Sequence, residues 1–218
     1  VAIDKSRTPV WMKVVLIGIA LTFVLGFCTM AGNPLNLFAP QQTATQTADP
    51  ASAINQKHQG GVSQLTTLLQ SNPESYTVLV DLGNSYFDWA AELQSAASTN
   101  TALQGADLPM WNAAKDAYSR ALKVRGNEAP VRVDYAITLF YSGDTNAAVK
   151  IVTAVSKEQP TFAQAWFNLG VFDAALGTTE TAISAFERYL QLDPNGQQGN
   201  AAYAKQALEQ LKSGAATP

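Results

Sequence analysis

The chain has 218 residues, 47% of them hydrophobic and only 14% charged, with a formal net charge of −3. Beyond residue 61 fifteen acids face ten bases without a basic block, the reverse of what a nucleic-acid surface needs. A single cysteine, Cys28, excludes an intrachain disulfide, and a single histidine, His58, leaves no His/Cys metal cluster and no nucleophile and base pair.

Residues 1–13 carry Lys5, Arg7 and Lys13 against one acid, Asp4. Residues 14–32 then run nineteen positions without a charge. As a helix rising about 1.5 Å per residue, that segment approaches the roughly 30 Å of a bilayer's hydrocarbon core. It reads as a transmembrane helix, with Trp11 at the interface. No base follows it until Lys57, so the positive-inside rule places residues 1–13 in the cytoplasm and everything after Asn33 outside, as a single-pass inner-membrane protein. A cleaved signal peptide ending near Thr29-Met30-Ala31 is the alternative, but the apolar run is long for one. Lipidation at Cys28 is disfavoured because bulky Phe27 stands where a small residue belongs.

Residues 33–56, rich in Thr, Gln, Ala and Pro, read as an extracytoplasmic linker that can turn helical after Pro50. His58 and the flexible joint Gly60-Gly61 fall at its end; two glycines alone make no phosphate loop.

From 57 to 213 the apolar spacing is helical. Val62, Leu65, Leu68 and Leu69 mark a first helix, closed by Asn72-Pro73. Leu79, Leu82-Gly83 and Tyr86 mark the next, and Ala114, Tyr118 and Ala121 its partner, separated by an insertion at about 91–109. That insertion predicts a lengthened helix followed by a loop. Asp107, by capping, and Pro109, by its preset φ, then start a new helix. Trp89, Trp111 and Tyr118 are expected to pack this enlarged unit, with Trp89 beside the insertion. A second unit, 129–160, carries Tyr135, Ala136, Leu139 and Ala148 around the turn Gly143-Asp144. A third lies between Pro160 and Pro194, thirty-four residues apart, with Trp166, Leu169, Gly170, Gly177, Ala182 and Phe186. Residues 199–212 place Ala202, Tyr203, Ala207 and Leu211 among Lys, Gln and Glu, the pattern of a solvent-capping last helix, and 214–218 form a tail. About eight helices are expected, in an all-α chain.

The thirty-four-residue spacing, with Trp166, Leu169, Gly170, Ala182 and Phe186 at their positions, resembles the tetratricopeptide repeat (TPR), a helical hairpin that must stack on neighbours to bury its apolar face. The resemblance implies an all-α solenoid of about three repeats, an N-terminal half-repeat and a C-terminal capping helix. It also implies that the first helix of each repeat lines a concave partner-binding groove. By that register the groove comprises Val80, Asp81, Asn84, Phe87 and Asp88, then Val133, Asp134, Ile137, Phe140 and Tyr141, then Phe167, Asn168 and Val171. For each of the aromatic residues, packing between neighbouring repeats competes with ligand contact. TPR domains that clamp a partner's terminal carboxylate use Lys or Arg with Asn. Here only Asn84 and Asn168 echo the clamp, and Val80 and Asp134 oppose it, so a segment with apolar anchors and neutral or basic flanks fits better.

An anchor followed by such a domain is similar in layout to bacterial anchored TPR proteins of cytochrome c maturation and to the TPR accessory of the Sec translocon. That layout implies a non-enzymatic adaptor without cofactor or metal, holding a client or partner in envelope protein assembly. The other reading is a constitutive subunit of a larger membrane complex. Homo-oligomerisation is compatible with both.

Overall fold

The computed structural model describes residues 50–215. The expected cytoplasmic terminus, the transmembrane segment 14–32, the linker up to 49 and the last residues of the tail lie outside them. Among the described residues no helix is long and apolar enough to cross a membrane.

Eight α-helices follow one another without a strand among the described residues: α1 (Pro50–Ser71), α2 (Tyr76–Ala97), α3 (Leu108–Val124), α4 (Ala129–Tyr141), α5 (Thr145–Glu158), α6 (Ala163–Ala175), α7 (Thr179–Leu192) and α8 (Ala201–Ala215). Each packs chiefly on its chain neighbours, and α4 also touches α6. Three hairpins therefore stack in line, α2/α3, α4/α5 and α6/α7, flanked by α1 and α8. Such an array has only local and nearest-neighbour contacts to stabilise it.

What sets the closeness of each hairpin is a small residue facing a large one. A Cβ built on Gly83 would stand 2.6 Å from the Tyr118 ring, and one on Gly170 would stand 2.8 Å from the Phe186 ring. Both rings are fully buried. At the equivalent positions of the middle hairpin stand Ala136 and Val152, also fully buried. Where the small partner gains a methyl, the large one loses its ring, as close packing at constant volume requires.

The hairpin turns are chemically specified. Gly143 (φ 92°) and Gly177 (φ 75°) occupy the left-handed region that glycine tolerates. Around them the amides of Gly143 and Asp144 bond to the carbonyls of Phe140 and Leu139, and those of Gly177 and Thr178 to Ala174 and Asp173. This is the paired Schellman arrangement that closes a helix C-terminus. Asp144 then accepts from the amide of Ala147 and opens α5.

Several expectations change. The chain does turn helical at Pro50, where the linker was expected to be able to, and the helix runs on through His58, which belongs to α1 and not to a tether. His58 stacks on Trp89 (ring centroids 5.7 Å apart) and lies 2.7 Å from the Glu92 carboxylate, which also receives Lys57 at 2.6 Å. Burial pulls the Glu92 pKa up, but the hydrogen bonds from Lys57 and His58 outweigh it and hold the carboxyl below its usual range. Trp89 donates to Asn55 and stacks on Tyr86. It therefore fixes α1 to α2 and not the insertion, because α1 supplies the flat partner and the acceptor its indole needs. Along α1, Val62 and Leu69 are buried but Leu68 is 55% exposed.

The insertion is built rather than loose: α2 is prolonged to Ala97 with Trp89, Ala90, Ala91 and Leu93 buried, and a 3-10 turn, Thr101–Leu103, buries Leu103. Asn100 caps that turn by accepting from the amide of Ala102. Pro109 lies in the first turn of α3 as expected, but Asp107 does not cap a backbone amide. Its carboxylate accepts the indole N–H of Trp111 at 2.9 Å, since a buried indole otherwise lacks an acceptor. In α8 the buried positions are Ala201, Ala204 and Leu208, whereas Ala202 is exposed and Tyr203 is half-buried.

Gly83→Ala gains about 1 kcal/mol in helix propensity but overpacks the Tyr118 ring at a cost of about 1–3 kcal/mol. The expected result is a lower unfolding midpoint. Its cost should shrink in a Tyr118→Val background, which copies the middle hairpin; an identical cost in both backgrounds, by urea unfolding, would refute the interlock. Deleting 95–105 should lower the midpoint as well, by about 1.5–3 kcal/mol for the loss of the Leu103 anchor; an unchanged midpoint would show that the insertion only decorates the surface.

Candidate functional site

The first helices α2, α4 and α6 carry the residues expected to line the groove, and the structure divides them. Val133, Ile137, Phe87 and Phe167 are buried. Phe87 meets Trp111 edge-on at 4.9 Å, and Phe167 lies among Phe186, Tyr189 and Tyr203 at 6.0, 5.2 and 5.7 Å. These rings seal contacts between helices. Their apolar area, worth about 25 cal/mol per Å² removed from water, goes to packing. Asn168 is also turned inward: it is 7% exposed, and its amide nitrogen donates to the carbonyl of Gln164 one turn back. It cannot act with Asn84 as a clamp on a ligand from that position.

What stays accessible is Asp81, which is exposed, and Val80, Asn84, Asp88, Asp134, Phe140, Tyr141 and Val171, all half-buried. Two features organise them. The first is an aromatic run from repeat to repeat. Trp111 stacks on Tyr141 (4.6 Å, 15°), Tyr141 meets Phe140 edge-on (5.2 Å), and Phe140 stacks on Phe172 (4.6 Å, 15°). Together with Phe87 this gives five linked rings across α2, α3, α4 and α6, each pair in an offset or edge geometry that the ring quadrupole favours. Burial, and then the neighbouring Tyr203, raise the Tyr141 pKa to about 12. The phenol of α8 therefore lies within electrostatic reach of the phenol of α4.

The second feature is a polar knot between α2 and α4. The Tyr118 hydroxyl, delivered from α3, donates to Asn84 Oδ1 at 2.7 Å. Burial raises the Tyr118 pKa well above the ordinary value, and the carboxylates of Asp134 and Asp88 raise it further. Asp134 itself is pushed up to about 7 by desolvation. Among the described residues it makes no hydrogen bond or ion pair.

Bases are scarce on the first helices of the hairpins. The first helices hold Asp81, Asp88, Glu92, Asp134 and Asp173 against one base, Arg132. Arg132 is consumed by a bidentate pair with Glu158 on α5. Glu92 is taken by Lys57 and His58, and Asp173 by the Thr178 hydroxyl. Asp81, Asp88 and Asp134 also lie on these helices, and the face is acidic.

Sequence reasoning undervalued Tyr118 and Tyr203. Tyr118 stands where the repeat pattern has Phe, and that additional hydroxyl was the available signal. Tyr203 had none, because the turn 193–200 sets its direction: Asp193 accepts from the amides of Gln197 and Gln198 and from the Tyr189 hydroxyl. Among the described residues no group of three or more His, Cys, Asp or Glu side chains is arranged to hold a metal ion.

The tetratricopeptide-repeat family model matches residues 133–197. No curated protein matches the chain. Among solved structures, two MamA crystal structures are similar, one with TM-score 0.53 and 17% identity, covering 74% of this chain and 80% of that one. The other has TM-score 0.52 and 16% identity, covering 78% and 98%. The first TPR of Spaghetti (RPAP3), bound to HSP90 peptide SRMEEVD, has TM-score 0.50 and 20% identity, covering 65% and 94%. At these identities the likeness concerns the fold, and it extends beyond the matched segment to most of the described helices. The interlocked hairpins, their glycine-closed turns and the solved structures agree on the fold, and residues 133–197 match the tetratricopeptide-repeat family model.

Proposed function

We propose that this protein is a membrane-anchored, extracytoplasmic adaptor whose TPR array holds a partner polypeptide during envelope protein assembly. The observation that carries the binding part is the first-helix face, which holds the half-buried rings of Phe140 and Tyr141 together with Asp81, Asp88 and Asp134, while its one base, Arg132, is paired with Glu158. Such a face suits a segment with apolar anchors and neutral or basic flanks. It opposes an acidic C-terminal tail like the SRMEEVD peptide bound to the RPAP3 domain. The anchoring part rests on the uncharged segment 14–32 and the bases that precede it. Handling of apocytochrome or translocon clients, as in the anchored TPR proteins of similar layout, is the finer form of this reading.

A constitutive subunit is the second reading, favoured by Leu68, which stands exposed on α1, the helix that also supplies Leu69 to a groove of about 380 Å³ where Leu82, Tyr86 and Ala117 meet the polar Gln70, Asp116 and Arg120. A permanent neighbour would cover that apolar surface.

Pull-down of the full-length protein from native membranes in mild detergent, with mass spectrometry, tests both. The adaptor reading predicts many substoichiometric exported proteins, and a Val80→Lys/Val171→Lys variant with an unchanged circular dichroism spectrum should lose them. One set of membrane subunits at fixed ratio would establish the subunit instead. Recovery of the chain in the soluble fraction would refute the anchor.

A further inference from the structure

At its middle α1 carries two consecutive glycines, Gly60 and Gly61, and neither has the packing reason that Gly83 and Gly170 have. Among the described residues a Cβ built on either would meet nothing within 4 Å, and neither takes a positive φ. Alanine would fit at both positions and would favour the helix, since glycine has the most backbone freedom to lose. The helix is therefore weakest at a point where its surroundings do not require glycine.

The two halves of α1 that meet there are attached differently. In residues 62–71, Val62 and Leu69 are buried and Leu65 packs against the same core. Residues 51–59 have no buried side chain, and only Ala51 and Ile54 partly cover the core. What holds this half is directional. The Trp89 indole donates to Asn55 Oδ1 at 2.9 Å, His58 stacks on the indole and lies 2.7 Å from Glu92, and Lys57 reaches the same carboxylate. The Lys57 head is 63% exposed, so its pair adds little. Polar contacts of this kind exchange for water at small net cost, whereas undocking residues 62–71 uncovers apolar surface. Both anchors also lie on an extension: α4 and α6 have 13 residues, and Trp89 and Glu92 belong to the part of the 22-residue α2 beyond that length.

We propose that residues 50–59 form a strap that opens as one unit about Gly60-Gly61 while residues 62–71 stay docked. Closed, the strap occupies the indole N–H of Trp89 and the carboxylate of Glu92. Open, it leaves both to solvent at the extended end of α2, and the strap itself, too short to keep its helix alone, unravels. Residues 1–49 join the array at Pro50, so the strap is the first element that a pull along the chain reaches. The device does not depend on the first-helix face being the partner groove.

Amide-resolved hydrogen exchange of the full-length chain in detergent, corrected for intrinsic rates, is the test. The amides of residues 54–59 should share one protection level, about tenfold or more below that of residues 64–71. Gly60→Ala/Gly61→Ala should slow exchange at 54–59 by about thirtyfold, the product of two glycine-to-alanine gains in an open helix position. Leu69→Ala should speed exchange at 64–71 and leave 54–59 within about twofold, because the strap opens without undocking Leu69. A single protection level along all of α1, or 54–59 accelerating together with 64–71 in Leu69→Ala, would show that the helix opens whole and would overturn the strap. Protection that climbs residue by residue from 54 to 59 would reduce it to end fraying. Unchanged exchange at 54–59 in the double alanine variant would remove the hinge.

Discussion

The close approach of two helices at Gly83/Tyr118 and Gly170/Phe186 is the constraint on which the rest depends. A TPR hairpin buries too little apolar surface to stand alone, so it must present a regular, tightly closed edge to the next one. A ring seated on a helix backbone provides that closeness, and the Ala136/Val152 position achieves the same volume with smaller parts. Once three hairpins are closed alike, α2, α4 and α6 fall side by side, and their outward residues become one surface.

That surface has two kinds of order. Along its length runs the aromatic chain from Phe87 through Trp111, Tyr141 and Phe140 to Phe172, in which Phe87, Trp111 and Phe172 are buried in the core and Tyr141 and Phe140 stay half open. Across it, the first helices carry acids with the single base Arg132, while bases such as Lys115, Lys123, Lys150 and Lys157 lie on the second helices together with Asp116, Glu158, Glu180 and Glu187. Neither order is needed for hairpin closure. The pairing of Arg132 with Glu158 keeps the one first-helix base occupied, so the face keeps its sign. The α1 helix is held by a separate device, the Trp89 indole between His58 and Tyr86 with Asn55 as acceptor, which joins this helix to the stack through a few polar and stacked contacts beside Val62 and Leu69.

The residues that sequence reasoning placed well and placed badly differ in kind. Gly143 and Gly177 could be read directly, because a left-handed residue at a helix end has few chemical solutions. Gly170 and Phe186 could be read because close packing links their sizes. Asn168 could not: the rule that asparagine inside a helix needs a polar partner was right, but the partner is the carbonyl of Gln164 and not a ligand. Phe87, Ile137 and Phe167 share a register with the groove and are buried nonetheless, while Tyr141 in the same register stays half open. His58 looked like a linker residue because the apolar spacing of α1 starts late, and its real neighbours, Trp89 and Glu92, are more than thirty positions away.

The amino-acid sequence by itself determined the helix pairs, their turns and the small-against-large contacts, since these follow from local backbone chemistry and from a period that repeats every thirty-four residues. It also carried the repeat resemblance that the family match over residues 133–197 bears out. Only the tertiary structure decided which register positions stay accessible and which are spent on packing, and that the Tyr118 hydroxyl from α3 reaches Asn84 on α2. The physical reason is that periodicity gives the direction of a side chain around its own helix, whereas solvent access and ionisation depend on the size, charge and polarity of whatever the neighbouring helices bring to the same place.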